Sequence, residues 1–215
     1  MKERGSGYTR PDASQHYLNR ARTAAERSTC LRRRVGAVII KDGVEISSGY
    51  VGSARGEEHC IETGRCLRFE LGIPSGQRYE LCRSVHAEQN ALINAARTGV
   101  STVGGEMFIS SEKLEGRYRR SGQEATELYG PCSMCAKQLI NAGIVAVHMR
   151  EERDEKVRTY DVDDLRQILR DHEEAIRRQV LQAQPPARSV QPAEDTQREE
   201  RGTSGRSALG SGVGL

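Results

Sequence analysis

Two short motifs, each joined to a helical pattern, constrain this chain most strongly. The first is His86-Ala87-Glu88, and the second is Pro131-Cys132-Ser133-Met134-Cys135. The apolar run after the first motif predicts a helix over about 87–97, with His86 and Glu88 at its first turn. Pro131 indicates that another helix begins near Cys132, which places both sulfurs at its N-terminal end. We therefore expect two helix N-termini to point at one centre.

One imidazole and two thiolates make a suitable ligand set for zinc. A catalytic zinc ion has three protein ligands and keeps one position open for water, and the candidates are His86, Cys132 and Cys135. The positive end of a helix lowers a thiol pKa and favours the thiolate that a metal requires. Glu88 is not needed as a ligand, so its carboxylate is free to transfer protons.

Together the two motifs follow the pattern His-x-Glu and Pro-Cys-x-x-Cys, which is characteristic of zinc deaminases. A zinc ion lowers the pKa of its bound water from about 15.7 towards about 7. Glu88 can take the water proton and deliver it to a ring nitrogen and then to the leaving amine. The motifs therefore predict hydrolytic deamination of an amidine-like ring carbon, with Glu88 as the catalytic residue.

Length and charge restrict the other classes of function. The chain has 215 residues, which fits one domain with appendages. Its 33 basic residues are nearly balanced by 30 acidic ones, which argues against nucleic-acid binding as the main role. It contains no apolar run of membrane-spanning length and no apolar leader, so we expect a cytoplasmic protein without membrane contact. Six cysteines in that compartment indicate metal binding rather than disulfides.

Apolar periodicity predicts an α/β fold. The expected elements are a helix over Ser14–Arg27, strands over 35–40, 44–50, 107–110 and 144–149, the two motif helices, and a final helix over Asp161–Gln179. Strand and helix alternate after an opening hairpin. We therefore expect a three-layer α/β/α fold, in which a central mixed sheet carries helices on both faces.

The same patterns divide the chain into one domain and two flanking segments. We expect a flexible N-terminus at 1–13, a zinc-dependent deaminase domain at 14–180 and a disordered tail at 181–215, where Gln, Pro, Arg, Gly and Ser dominate. Within the domain, 53–82 is a Cys-rich segment and 111–130 is a polar, charged insertion.

Several stretches beyond the zinc motifs match one family in the same order. They are Arg27–Ile39, Glu58-His59-Cys60, Cys66-Leu67-Arg68 and Gly72-Ile73-Pro74-Ser75-Gly76. With the zinc motifs, they resemble the deoxycytidylate (dCMP) deaminase family of the cytidine-deaminase-like superfamily over about residues 14–150. The resemblance implies the cytidine-deaminase-like fold and the conversion of dCMP and water to dUMP and ammonia, which feeds thymidylate synthesis. It also implies a homo-oligomer, often a hexamer, and in some members regulation by dCTP and dTTP.

The resemblance also bears on the contacts with small molecules. Candidate substrate contacts are Ala87, Val51, Ser110 and Arg34, and Arg97 is a candidate effector contact. The family usually has Asn, which holds the sugar, where this chain has Val51, and valine cannot make that hydrogen bond. The family also passes almost directly from the third strand to Pro-Cys, whereas 111–130 intervenes here. Both departures concern the substrate more than the reaction.

Three other interpretations of the function are open besides a dCMP deaminase. The substrate could be another cytosine nucleotide, nucleoside or related small molecule, which Val51 and the insertion favour. A nucleic-acid-editing enzyme could use the basic run Arg117–Arg120, although acidic residues flank that run and such loops are usually solvated. A non-enzymatic zinc scaffold would have no use for Glu88.

The four cysteines outside the motif predict a second, structural zinc ion. Cys30, Cys60, Cys66 and Cys82 match the ligand number of a closed site. His59 is the substitute if one thiol points away. Ordinary reduced thiols are the alternative, because the spacing is irregular.

Overall fold

The computed structural model describes residues 9–74, 77–114, 130–151 and 156–183. The strands are β1 (Arg33–Lys41), β2 (Val44–Tyr50), β3 (Gly52–Ser53), β4 (Ser84–Val85), β5 (Glu106–Lys113), β6 (Ala146–Glu151) and β7 (Val157–Asp161). The helices are α1 (Ala13–Ala25), α2 (Cys60–Thr63), α3 (Leu67–Glu70), α4 (Ala87–Arg97), α5 (Ser133–Asn141) and α6 (Val162–Ala183), and a 3₁₀ turn covers Tyr79–Leu81.

Five strands form the main sheet in the order β2-β1-β5-β6-β7. The β5–β6 pair is parallel, and the β1–β2, β1–β5 and β6–β7 pairs are antiparallel. Strands β3 and β4 form a separate two-stranded ribbon beside the main sheet. The sheet is therefore mixed, as predicted.

The α1 face of the sheet is covered by α1. Leu18 and Ala21 of α1 pack on Val38, Ile40 and Phe108, and all five side chains are at most 5% exposed. Side chains alternate between the two faces along a strand. Every second residue of β1 and β5 therefore points towards this helix.

The opposite face, which we call the motif face, carries α4, α5 and α6. Its cluster takes Ala37 and Ile39 from β1, Met107 and Ile109 from β5, and joins them to Ala91, Leu139 and Leu165 of the three helices. Ala87 and Ala136, which lie next to the motif residues, belong to the same cluster. Helices on both faces of one mixed sheet confirm the predicted three-layer α/β/α fold.

Helix α4 lies unusually close to β2. A Cβ placed on Gly49 would lie 2.3 Å from the Ala91 nitrogen and 2.5 Å from the Ala87 oxygen. Ser47 Oγ donates to the Ala91 carbonyl at 2.6 Å, and Asn90 Nδ2 donates to the Tyr50 carbonyl at 2.7 Å. The absence of a side chain at Gly49 and these two bonds hold the start of α4 against the sheet.

Several predicted elements agree with the structure. Strand β2 and helix α4 have the predicted bounds, and the β1–β2 turn has Asp42 at φ 51° and Gly43 at φ 77°, as an Asp-Gly hairpin turn requires. Strand β1 is slightly longer than predicted. Helix α6 runs to Ala183, four residues beyond its predicted end.

Other predictions need correction. Strand β5 continues through 111–113, which the sequence assigned to the insertion, because these residues pair with β1 and Glu112 forms an ion pair with Arg34 at 3.5 Å. Strand β7 was not predicted. Of the predicted flexible or disordered segments, 1–8, 115–129 and 184–215 lie outside the described residues.

In the described part of the chain, no helix combines the length and apolar character needed to cross a bilayer.

Candidate metal centre

His86, Cys132 and Cys135 come together as predicted. The His86 Nδ1 atom lies 3.5 Å from Cys132 Sγ and 3.4 Å from Cys135 Sγ. The three possible ligand atoms all lie within 4.8 Å of one another, and Cys135 is fully buried. One imidazole nitrogen and two sulfurs at this spacing fit zinc, which accepts both donor types.

Both halves of the group sit at helix N-termini. His86 is the N-cap of α4, with extended φ and ψ, and its backbone N–H donates to Gln89 Oε1 at 3.1 Å. Cys132 is the N-cap of α5, and its sulfur accepts from the Cys135 N–H at 3.5 Å. The predicted convergence of two helix starts is therefore confirmed, with Cys132 one residue before the helix rather than inside it.

The two thiols titrate as a pair. The pKa of Cys132 is lowered, because the Cys135 thiol donates a hydrogen bond to it and His86 adds a second favourable contact. The pKa of Cys135 is raised, because that thiol keeps the shared proton and is buried. A coordinated zinc ion would hold both sulfurs as thiolates.

Glu88 lies two residues after His86 and faces the same space. It is 7% exposed, and burial raises the pKa of its carboxyl, partly offset by His86. Cys132 adds a like charge, and Cys135 hydrogen-bonds to the carboxylate. A buried carboxyl with a raised pKa beside the three metal-ligand residues is placed to act as a general acid and base.

Tyr79 forms a wall of the centre that sequence reasoning missed. Its ring lies edge-on to the His86 imidazole, with centroids 4.8 Å apart and planes at 85°. The Arg68 guanidinium lies over the same ring, 4.7 Å from its centroid. Burial raises the pKa of Tyr79 to about 12, and the nearby Cys132 contributes, so the phenol stays neutral. Its aromatic character in a polar segment was the one signal available.

The candidate substrate contacts divide between the two faces. Ala87 and Val51 are buried, at 1% and 8% exposed, and Ala87 belongs to the motif-face cluster. By strand alternation, Arg34 lies on the α1 face with Val38, and Ser110 lies there with Phe108. That placement does not support their predicted contact with substrate, because α4 and α5 lie on the motif face.

The neighbours of those two residues lie on the motif face instead. Ser111 is 1% exposed and accepts a hydrogen bond from Arg33 Nη1 at 3.1 Å. Arg33 also pairs with Glu151 at 3.5 Å, and burial lowers the pKa of Arg33 despite this partner. A one-residue difference in strand register decides which of these side chains faces the motif residues.

The four remaining cysteines lie near one another, but the structure does not bring three of their sulfur atoms within 4.8 Å of each other. The pKa of Cys30 is raised by burial, with added repulsion from Cys82 and Cys66, so the thiols are close enough to interact. Among the described residues, only the His86 group brings three ligand atoms within 4.8 Å. His59 Nδ1 instead lies 3.2 Å from Thr29 Oγ1. A second zinc site stays a prediction.

Arg97 lies exposed in the last turn of α4. At 1.5 Å of rise per residue, the 11-residue helix places it about 15 Å from the motif end. Its effector contact also stays a prediction.

Comparison with known proteins identifies the family. The family model for the cytidine and deoxycytidylate deaminase zinc-binding region matches residues 11–151. This stretch contains both motifs and most of the sheet. The chain belongs to the cytidine and deoxycytidylate deaminase family, whose zinc-binding region accounts for the His-Cys-Cys group.

Individual relatives agree with this assignment. ComE operon protein 2 of Bacillus subtilis (strain 168) is 32% identical over 139 residues, which are 65% of this chain and 59% of that protein. The deoxycytidylate deaminase of Schizosaccharomyces pombe is 38% identical over 91 residues, 42% of this chain and 28% of that protein. The deoxycytidylate deaminase of Mycobacterium phage D29 is 30% identical over 143 residues, which are 65% of this chain and 94% of that protein. The chain thus spans less than two thirds of the Bacillus and yeast proteins.

Among solved structures, the dCMP deaminase of cyanophage S-TIM5 in apo form is 25% identical, with a TM-score of 0.48. The match covers 74% of this chain and 94% of that one.

Proposed function

We propose that this protein is a zinc-dependent deoxycytidylate deaminase, which converts dCMP and water to dUMP and ammonia. The observation that carries the proposal is the convergence of His86, Cys132 and Cys135 beside the buried carboxyl of Glu88. The deoxycytidylate deaminases among its relatives support dCMP as the substrate. The product would enter thymidylate synthesis.

In this proposal the chain contributes ligands and a proton carrier. His86, Cys132 and Cys135 hold zinc, which when bound supplies a Lewis acid that makes water nucleophilic near neutral pH. Glu88 accepts a proton from the attacking water and passes it to N3 of the cytosine ring. Once the water oxygen is bonded to C4, Glu88 takes the remaining proton of that hydroxyl and delivers it to the amino group at C4. The C4–N bond then breaks, ammonia leaves, and the C4=O bond of uracil forms. Burial raises the pKa of the Glu88 carboxyl, which makes its carboxylate a stronger proton acceptor in the first step.

A second candidate function is deamination of another cytosine compound. It is favoured by Val51, whose side chain offers no hydrogen bond to a sugar and is 8% exposed. The backbone at this position is held on both sides, since the Val51 N–H donates to Val35 and its carbonyl accepts from Thr29, each at 3.0 Å. The backbone N–H and carbonyl of Val51 are therefore already used within the fold. Only the replacement of the family's Asn side chain by valine changes what this position offers to a ligand.

The test is ammonia release by the zinc-loaded protein across dCMP, CMP, deoxycytidine, cytidine, cytosine and the corresponding adenine compounds. The proposal expects dCMP to have the highest kcat/KM. Preference for another cytosine compound would favour the second candidate, and no ammonia from any of them would refute both.

The proposal also covers the oligomeric state of the protein, its regulation and its cellular compartment. The family resemblance supports a homo-oligomer, a hexamer in many members, with dCTP and dTTP as effectors near Arg97. Light scattering tests the oligomeric state. The effector contact is tested by measuring how turnover depends on dTTP in the wild type and in an Arg97→Ala variant. None of the six cysteines, all of which lie in the described ranges, forms a disulfide, which supports a reducing compartment such as the cytoplasm.

A further inference from the structure

Arg68 is a buried cation beside the metal centre, and it has no anionic partner among the residues that the structure describes. Its side chain belongs to α3, and the residue is 7% exposed. Nη2 donates to the carbonyl oxygens of Pro74 at 3.1 Å and Gln77 at 2.5 Å. The Nε atom is buried and has no hydrogen-bond acceptor within the described part of the chain. Two carbonyl dipoles therefore face the guanidinium charge.

Glu70 and Glu80, the acidic residues closest in sequence to Arg68 and Tyr79, are engaged elsewhere. Glu70 pairs with Arg65 at 2.8 Å, and Glu80 pairs with Arg78. In the ranges that the structure describes, no carboxylate lies within the 4.0 Å of an ion pair with Arg68. A buried charge without a counter-charge is costly, and an anionic ligand bound beside Arg68 would offset that cost.

The position of Arg68 relates it directly to the metal centre. Its guanidinium lies 4.7 Å from the Tyr79 centroid, and the Tyr79 ring lies 4.8 Å from the His86 imidazole. A single aromatic ring thus separates the cation from a predicted zinc ligand. The order of metal centre, aromatic ring and cation matches the order of groups in a nucleotide, which has a reactive base at one end, a sugar in the middle and a phosphate at the other end.

We propose that Arg68 binds the 5′-phosphate of the substrate and makes the enzyme prefer a nucleoside monophosphate to the nucleoside. This inference rests on the proposed function. Arginine suits the task because its planar guanidinium donates two parallel hydrogen bonds to phosphate oxygens. Tyr79 then lines the path between the base at the metal centre and the phosphate at Arg68.

A purely structural role predicts a different outcome. The two carbonyl contacts mean that Arg68 also anchors the backbone at Pro74 and Gln77. Loss of an anchor would affect every substrate alike, whereas loss of a phosphate contact would affect only substrates that carry phosphate. The ratio of nucleotide to nucleoside turnover separates the two roles.

The experiment compares zinc-loaded wild type with Arg68→Gln and Arg68→Lys, using dCMP and deoxycytidine. For Arg68→Gln we expect kcat/KM for dCMP to fall by about 30-fold or more, which is typical when a buried charge pair loses one member. Deoxycytidine turnover should fall far less than dCMP turnover, because only the lost backbone contacts to Pro74 and Gln77 affect it. Arg68→Lys, which keeps the charge, should recover part of the dCMP turnover. Arg65→Gln is the matched control, because Arg65 is an exposed arginine of the same segment, and it should change neither substrate.

Inorganic phosphate supplies a second readout. It should compete with dCMP in the wild type, and its inhibition constant should rise about 10-fold or more in Arg68→Gln. Equal loss of dCMP and deoxycytidine turnover, or unchanged preference, would overturn the assignment while leaving the deaminase proposal intact. A wild-type protein that deaminates neither compound would instead refute the proposed function, and this assignment with it.

Discussion

Replacing Gly49 with alanine should separate α4 from β2 and disturb the metal centre that α4 carries. The added Cβ would lie 2.3 Å from the Ala91 nitrogen and 2.5 Å from the Ala87 oxygen, whereas ordinary Cβ contacts begin at 3.4 Å. Both neighbours are backbone atoms of one helix, so no rotamer change relieves the contact. Helix α4 must therefore move away from the sheet by about 1 Å.

This displacement has two measurable consequences. Overpacking of a well-packed interior costs about 1–3 kcal/mol of unfolding free energy, and backbone contacts favour the upper end. His86 begins α4, so the same shift moves its Nδ1 atom relative to the two sulfurs, and a 1 Å misplacement can cost about 100-fold in rate. We expect Gly49→Ala to unfold at lower temperature, to hold zinc more weakly and to release ammonia about 100-fold more slowly.

The assay measures zinc per chain, thermal unfolding and ammonia release from dCMP for Gly49→Ala and Ser48→Ala. Ser48 is exposed and contributes only its carbonyl to the α4 contact, accepting from Asn94 Nδ2 at 2.8 Å. The control should therefore behave like the wild type. A Gly49→Ala protein with wild-type stability, zinc content and turnover would refute the argument from close approach.

Three further substitutions test separate parts of the account. Val51→Asn should raise kcat/KM for dCMP about 2- to 10-fold, the value of one net hydrogen bond; efficient wild-type turnover that the change leaves unaltered would contradict this. If the second zinc exists, metal analysis should find two ions per chain, and Cys82→Ala should lose one while the His86 group stays loaded; one ion per chain in metal-replete wild type would exclude the site. Arg34→Ala should leave the KM for dCMP within about twofold, because Arg34 lies on the α1 face; a larger rise would restore it as a substrate contact.

The parts of the fold that the sequence predicted are those specified by local signals. The Asp42-Gly43 turn requires positive φ, and the apolar period of α4 together with His86 at its start defines that helix. The sequence also predicted the metal-ligand group of His86, Cys132 and Cys135. Cys132 and Cys135 are three residues apart at a helix start, which leaves few ways to arrange their sulfurs.

The parts that were missed depend on contacts between distant residues. Strand β5 extends to Lys113 only because β1 pairs with it, and nothing local in the polar 111–113 segment indicates a strand. The distinction between Ser110 and Ser111 depends on register, which two adjacent serines cannot reveal. Tyr79 reaches His86 through the path of the 53–82 segment, where apolar periodicity is absent.

The most direct test of the central claim compares wild type and Glu88→Gln for zinc content and for ammonia release from dCMP. Glutamine has nearly the same shape but cannot carry the proton, and Glu88 is not needed as a ligand. We predict that the variant binds zinc as the wild type does and loses turnover by about 10²–10⁴-fold. Near-normal ammonia release by a zinc-loaded Glu88→Gln protein would contradict the role of Glu88 and the mechanism built on it.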